Sequence, residues 1–243
     1  TGITATTLNL TANGTITDNA ASTIAGTTTL DAGGTTAGTN NITLDDATNN
    51  FSTVTLVQGG NVTIDDANNV ILGGGTVGGT LEVDLAGGAI TQTGALSVSG
   101  IATFTAADAA NIILDESANT FGSTVSFASG GTLANVTIVD DSALDLQALT
   151  ITGNLVATGA GLTDSGSLVI AGTTTLAADG QDILFNNSND FGTVIVSSGN
   201  NVTLVDADDI DLGASSVGGA LNVTAAGAIS QSGSLTINGT SVI

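Results

Sequence analysis

The side chains in this sequence that could do chemistry are carboxylates, and nearly half of them come in adjacent pairs. Among 243 residues there are 22 Asp and Glu, and no Lys, Arg, His, Cys or Tyr. No nitrogen base, thiolate or amine nucleophile is therefore on offer. Two carboxylates alone can hydrolyse a glycosidic bond. Such sites normally add aromatic platforms and basic groups, and six Phe are the only aromatics here. The expectation is a protein that is not an enzyme, and no catalytic residue is assigned.

Paired acids suit a hard cation better. They are Asp45-Asp46, Asp65-Asp66, Asp115-Glu116, Asp140-Asp141 and the run from Asp206 through Asp208 and Asp209 to Asp211. Carboxylates with Asn and carbonyl oxygens fit Ca2+. The candidate ligands are Asp45, Asp46, Asp65, Asp66, Asp140, Asp141, Asp206, Asp208 and Asp209, and Ca2+ is the one cofactor considered. The Gly-Gly-x-Gly-x-Asp cadence of calcium-binding β-rolls is absent. The competing reading is a solvated acidic face that confers solubility and resists sideways association.

The charge balance also limits the partners. With a formal net charge of -22 and no Lys or Arg, the chain cannot neutralise nucleic-acid phosphates and is disfavoured on anionic lipid heads. The lack of Cys removes disulfides and thiolate metal sites, as an outer-surface protein with a stable fold can tolerate. No apolar run approaches the roughly 20 residues of a transmembrane helix. There is no Met, so a piece of a longer or processed protein is expected, and Thr1-Gly2-Ile3-Thr4 does not begin a signal peptide. Asn-x-Thr triplets are abundant, those starting at Asn9, Asn61, Asn135 and Asn201 among them. Strands rich in Asn and Thr generate these by chance, and as glycan acceptors they matter only where a glycosylation machinery is present.

The elements that must position these groups are repetitive. Ile90-Thr-Gln-Thr-Gly-Ala-Leu pairs with Ile229-Ser-Gln-Ser-Gly-Ser-Leu, and further copies start at Ile16 and Leu162. An Asn-x-Phe signature recurs at even spacing, at Asn49/Phe51, Asn119/Phe121 and Asn189/Phe191. This gives one continuous array: long repeats 16–89, 90–161 and 162–228 of about 71 residues, with partial repeats 1–15 and 229–243. Inside each repeat, segments such as Asn61-Val62-Thr63-Ile64-Asp65 alternate apolar and polar, the period of half-buried strands. Gly and Asn clusters punctuate them, and no window carries a helical stripe.

Short strands, short turns and no helices predict an all-β fold, a parallel β-helix (β-solenoid) of about ten to twelve coils. Each coil would take about 20–25 residues, giving a rod on the order of 50 Å long. An array of β-sandwiches, one per repeat, would need longer strands and connections. Phe51, Phe121 and Phe191 are expected in the core as one column. Asn49, Asn119 and Asn189 are expected to play a structural part, stacked as a hydrogen-bonded ladder.

The cleanest stretch runs from Asn189-x-Phe191-Gly-x-Val194 through Asn201-Val-Thr-Leu204, Asp211-Leu-Gly213 and Val217-Gly-Gly-x-Leu221 to Gly227-Ala-Ile-x-Gln-x-Gly233. It resembles the haemagglutinin-type repeats of filamentous-haemagglutinin-like adhesins. That resemblance implies a right-handed β-helix, secretion through an outer membrane and a stalk or adhesin role at the extracellular cell surface. The leading expectation is the structural shaft or filament-forming segment of a secreted bacterial fibre. Alternatives are an adhesin passenger region binding host or substratum ligands, and a Ca-bridged surface-layer component. The sequence begins and ends inside a repeat, so the expected partners are continuing repeats or neighbouring copies, end to end. No glycan or host receptor is identified.

Overall fold

The computed structural model describes residues 2–33 and 38–243, and its described elements are all β-strands. Every pairing is parallel. The chain winds as a β-solenoid with two broad walls. One wall, B, advances one rung per coil through Ile16, Ile42, Val62, Leu81, Ala102 and Val125. After a shift of register at Val125–Leu146 it continues through Leu144, Leu162, Ile183, Val202, Leu221 and Ser241. Twelve turns result, each near the lower end of the expected coil length. The other wall, A, is built in the same way from strands such as Ile90–Gln92, Ile112–Leu114, Val136–Val139 and Leu155–Thr158.

Alternation in the sequence decides which side chains enter. Val62–Asp66 and Leu81–Leu85 bury every second residue and leave Thr63, Glu82 and Asp84 outside. The inward Val, Ile, Leu and Phe form one core cluster running from Ile16 to Val223. Each fully buried aliphatic side chain there stabilises the fold by about 1.5–3 kcal/mol. Gly73-Gly74-Gly75 lets the chain pass close to its neighbour: Gly75 has φ +139, and a Cβ there would fall on the Leu56 carbonyl oxygen. No helix among the described residues is long and apolar enough to cross a membrane.

The long repeat does not contain a whole number of coils. Ile16 and Leu162 lie on wall B, whereas Ile90 and Ile229 lie on wall A. Counting rungs from Ile16 through Ile42, Val62 and Leu81 to Ile90 gives three and a half turns. Each repeat is thus related to the next by half a turn about the rod and a rise of about 17 Å. This corrects two expectations. Phe51, Phe121 and Phe191 are all core residues, with 0–1% exposure, but they do not share a column. Phe121 follows a strand of wall A, and Phe51 and Phe191 follow strands of wall B. The same offset separates Asn49, Asn119 and Asn189, so they cannot stack on one another.

Candidate functional site

The polar atoms that the fold buries are concentrated at one corner per repeat. There the chain leaves a strand, makes a tight turn closed by Asn49 N–H on the Asp46 carbonyl (2.8 Å), and re-enters the core at Phe51. The Asn49 side chain is fully buried. Its Oδ1 accepts the Ser22 N–H (2.8 Å) and its Nδ2 donates to Asp18 Oδ2 (2.7 Å), both one coil below. One coil above, the Asp66 carboxylate accepts the Phe51 N–H and, at 2.7 Å, the Asn68 N–H. Asp18, Asn49 and Asp66 thus form a three-coil polar stack that satisfies backbone groups which the corner takes out of the ladder.

The other two repeats rebuild this stack. Asn189 Oδ1 accepts the Leu168 N–H (2.8 Å), Asn189 Nδ2 donates to Asp164 Oδ2 (2.8 Å), and Asp206 accepts the Phe191 N–H (2.8 Å) and the Asp208 N–H (3.0 Å). On the opposite side of the rod, Asn119 Oδ1 accepts the Leu96 N–H (2.8 Å) and the Gln92 amide N–H. Asn119 Nδ2 donates to Gln92 Oε1 (3.0 Å) and to the Leu114 and Val139 carbonyls. Asp140 closes the stack by accepting the Phe121 and Ser142 N–H groups. The three asparagines are structural, each within its own corner.

A true asparagine ladder does exist, on other residues. Asn41 Oδ1 accepts the Asn61 N–H (3.0 Å), and Asn61 Oδ1 accepts the Thr80 N–H (3.0 Å). Asn111, Asn135 and Asn154 pass the same bond upward to Thr173. Their spacing of about one coil was the available signal. The Asn-x-Thr asparagines Asn41, Asn61, Asn135 and Asn201 are rungs of these corner ladders, with Asn201 Oδ1 accepting the Ala220 N–H (3.1 Å).

The candidate cation ligands are dispersed. Asp66, Asp140 and Asp206 face inward and serve the corners. Burial raises the pKa of each, opposed by the N–H groups they accept. Asp46 is occupied by the Thr48 hydroxyl (2.6 Å) and N–H (3.0 Å), which lower its pKa. Asp209 accepts the Ala228 N–H (2.6 Å) as another ladder rung. Asp141 gives its backbone N–H to the Asn119 carbonyl (2.7 Å), and Asp208 receives the Gly227 N–H on its own carbonyl (2.7 Å). Asp45 and Asp65 point outward on wall B, where Asp65 is paired in register with Asp84. Desolvation, then the charges of Asp84, Asp45, Glu82 and Asp18, raise the Asp65 pKa to about 6. Among the described residues, no three acidic side chains are grouped closely enough to hold a metal ion.

Neither the curated proteins nor the solved structures yielded a match to this chain. One family model matches it four times, over residues 1–58, 59–128, 133–198 and 199–243. These matches leave only residues 129–132 uncovered. The chain accordingly belongs to the family described as repeats of unknown function (DUF5649), of which it carries a tandem series.

Proposed function

We propose that this chain is a passive structural segment, the shaft of a bacterial cell-surface fibre, and that it carries out no catalysis. The observation that supports this reading best is the single apolar core, which continues through the coils while the repeats succeed one another by the same half-turn. What such a rod supplies is length and stiffness. The motif resemblance to haemagglutinin-type repeats adds secretion and an outer-surface location to the proposal, with an adhesin passenger region as its closest variant. The row Asp45, Asp65 and Asp84 on wall B would attract cations loosely from solution without forming a closed site.

The test is to delete one repeat, residues 90–161, from the full-length protein in its source organism. Electron microscopy should show a fibre shorter by about 17 Å per copy, with attachment and enzymatic phenotypes unchanged. Loss of a specific ligand-binding or catalytic activity on that deletion would overturn the reading. Location is checked separately by protease shaving of intact cells, which should release peptides of this chain.

A further inference from the structure

The two walls of the rod differ in charge. On wall A, seven successive strands contain no Asp or Glu: Asn50–Gly59, Val70–Val77, Ile90–Gln92, Ile112–Leu114, Val136–Val139, Leu155–Thr158 and Leu168–Ala177. Asp115 and Asp140 lie just past the ends of two of them, Asp140 buried. On wall B, Val62–Asp66, Leu81–Leu85 and Leu144–Leu146 carry outward carboxylates, Asp65, Glu82, Asp84 and Asp145. In a chain of net charge -22 without a single cation, an acid-free wall of this length is a marked exception.

The outward row on wall A is also uniform in shape. Ile71, Thr91, Ile113, Thr137, Val156 and Thr175 follow one another in register, one per coil, and every one is β-branched and half-buried. Such side chains have little χ1 freedom to lose on contact. We propose that wall A is a lateral interface at which two copies of this chain pair side by side.

A second copy is the occupant these features favour. Its rungs repeat at the same spacing of about 4.8 Å, so one row of β-branched side chains can settle between the rungs of the other along the whole wall. Contact through wall B would instead set Asp45, Asp65, Glu82 and Asp84 against an equally acidic surface. A wall about 35 Å long and about 15 Å wide buries on the order of 500 Å2 per copy, near the lower limit for a specific pair. The pairing is therefore reversible for this length of rod and tightens as coils are added. It is distinct from the end-to-end continuation in the proposed shaft, and either can fail without the other.

Sedimentation equilibrium of the purified chain tests it at up to about 0.5 mM. The weight-average mass should rise from 23.3 kDa toward twice that value, and more readily at high salt, which screens the net repulsion. The triple variant Thr91→Asp, Thr137→Asp, Thr175→Asp should weaken pairing at least about tenfold. The equally charged wall-B control Thr103→Asp, Thr163→Asp, Thr203→Asp should weaken it much less. A monomer throughout, or equal weakening by both triples, would overturn the proposal. Should the wall-A triple unfold, the natural lack of Cys allows a second reading. A thiol placed by Thr137→Cys should become protected from labelling as concentration rises, whereas one placed by Thr163→Cys should stay reactive; equal reactivity of the two would also overturn the proposal.

Discussion

The middle repeat and the two outer ones build the same corner on opposite sides of the rod, and they fill it differently. Below Asn49 and Asn189 stands a carboxylate, Asp18 or Asp164, which can only accept. Below Asn119 stands Gln92, which both donates and accepts, and the Asn119 amide consequently makes more bonds than either counterpart. Where the outer repeats place Thr28 and Thr174 in the wall, the middle one has Ala102; where they place Leu30 and Leu176, it has Phe104. In the corner Gln92 replaces the carboxylate while keeping a bond to the asparagine. In the wall the smaller Ala102 stands beside the larger Phe104, so the two changes of volume offset each other. Which side of the rod a repeat faces has no bearing on the corner geometry.

The comparison is most strongly tested at Phe104. It packs edge-on against Phe121 (centroids 6.2 Å apart, 85°) and stacks on Phe127 (6.0 Å, 24°), contacts that the outer copies, with leucine there, do not make. Phe104→Ala should cost about 4 kcal/mol in urea unfolding, and Phe104→Leu, which imposes the outer residue, about 1 kcal/mol. A smaller loss for Phe104→Ala than for Leu176→Ala would show that the aromatic cluster adds nothing.

The corner amide comes next. Asn119→Ala strands the Leu96 N–H, the Gln92 amide and two carbonyls in the interior, and should cost about 3 kcal/mol. Asn189→Ala strands fewer groups and should cost about 2 kcal/mol. Equal losses, read by hydrogen exchange at each corner, would mean that Gln92 is no better a partner than Asp164.

The wall threonines should give the opposite sign. Thr28 and Thr174 bury their hydroxyls without a hydrogen-bond partner. Thr174→Val should therefore stabilise the protein by about 1 kcal/mol, and Ala102→Thr in the middle repeat should destabilise it by a similar amount. Thermal unfolding of the two variants side by side checks both.

The smallest effect distinguishes the first repeat from the other two through pH. Asp65 occupies the place of Val139 and Val205. Its folded pKa of about 6 exceeds the ordinary 3.8, so between those values the folded state binds more protons than the unfolded one. This group's contribution is fully favourable below pH 3.8 and is lost as pH rises through 6. The melting temperature should thus increase on going from about pH 7.5 to about pH 5. Asp65→Val should raise it at the upper of those values and flatten that rise, although the inward Asp66, Asp140 and Asp206, also raised, keep part of it. Asp46, Asp182 and Asp211, held low by the hydrogen bonds they accept, act in the reverse direction at more acid pH.

Strand alternation and turn residues made the solenoid legible in the sequence, because inward and outward positions differ sharply in polarity. Segments such as Val62-Thr63-Ile64 needed no tertiary information. The phase of the repeat was hidden. The long period divides into short coils in more than one way, and whether the quotient is whole depends on corner lengths that composition does not reveal. The Asn49, Asn119 and Asn189 ladder failed for that reason. The single-coil spacing between Asn41 and Asn61, or between Asn135 and Asn154, carried the real one. The two acids of the 65/66 pair do not act together, because neighbouring strand residues point to opposite faces: Asp66 turns in to bind N–H groups and Asp65 turns out. The same alternation that identified the strands could have separated them.

The half-integer repeat bears on how such a rod can change length over generations. A duplication or loss of one unit rotates everything downstream by half a revolution, exchanging the acidic and acid-free sides beyond the join. Two units gained or lost together restore the original heading. Arrays in which the bearing of the surfaces matters should therefore grow and shrink in even steps, whereas arrays valued only for reach are free to vary by one.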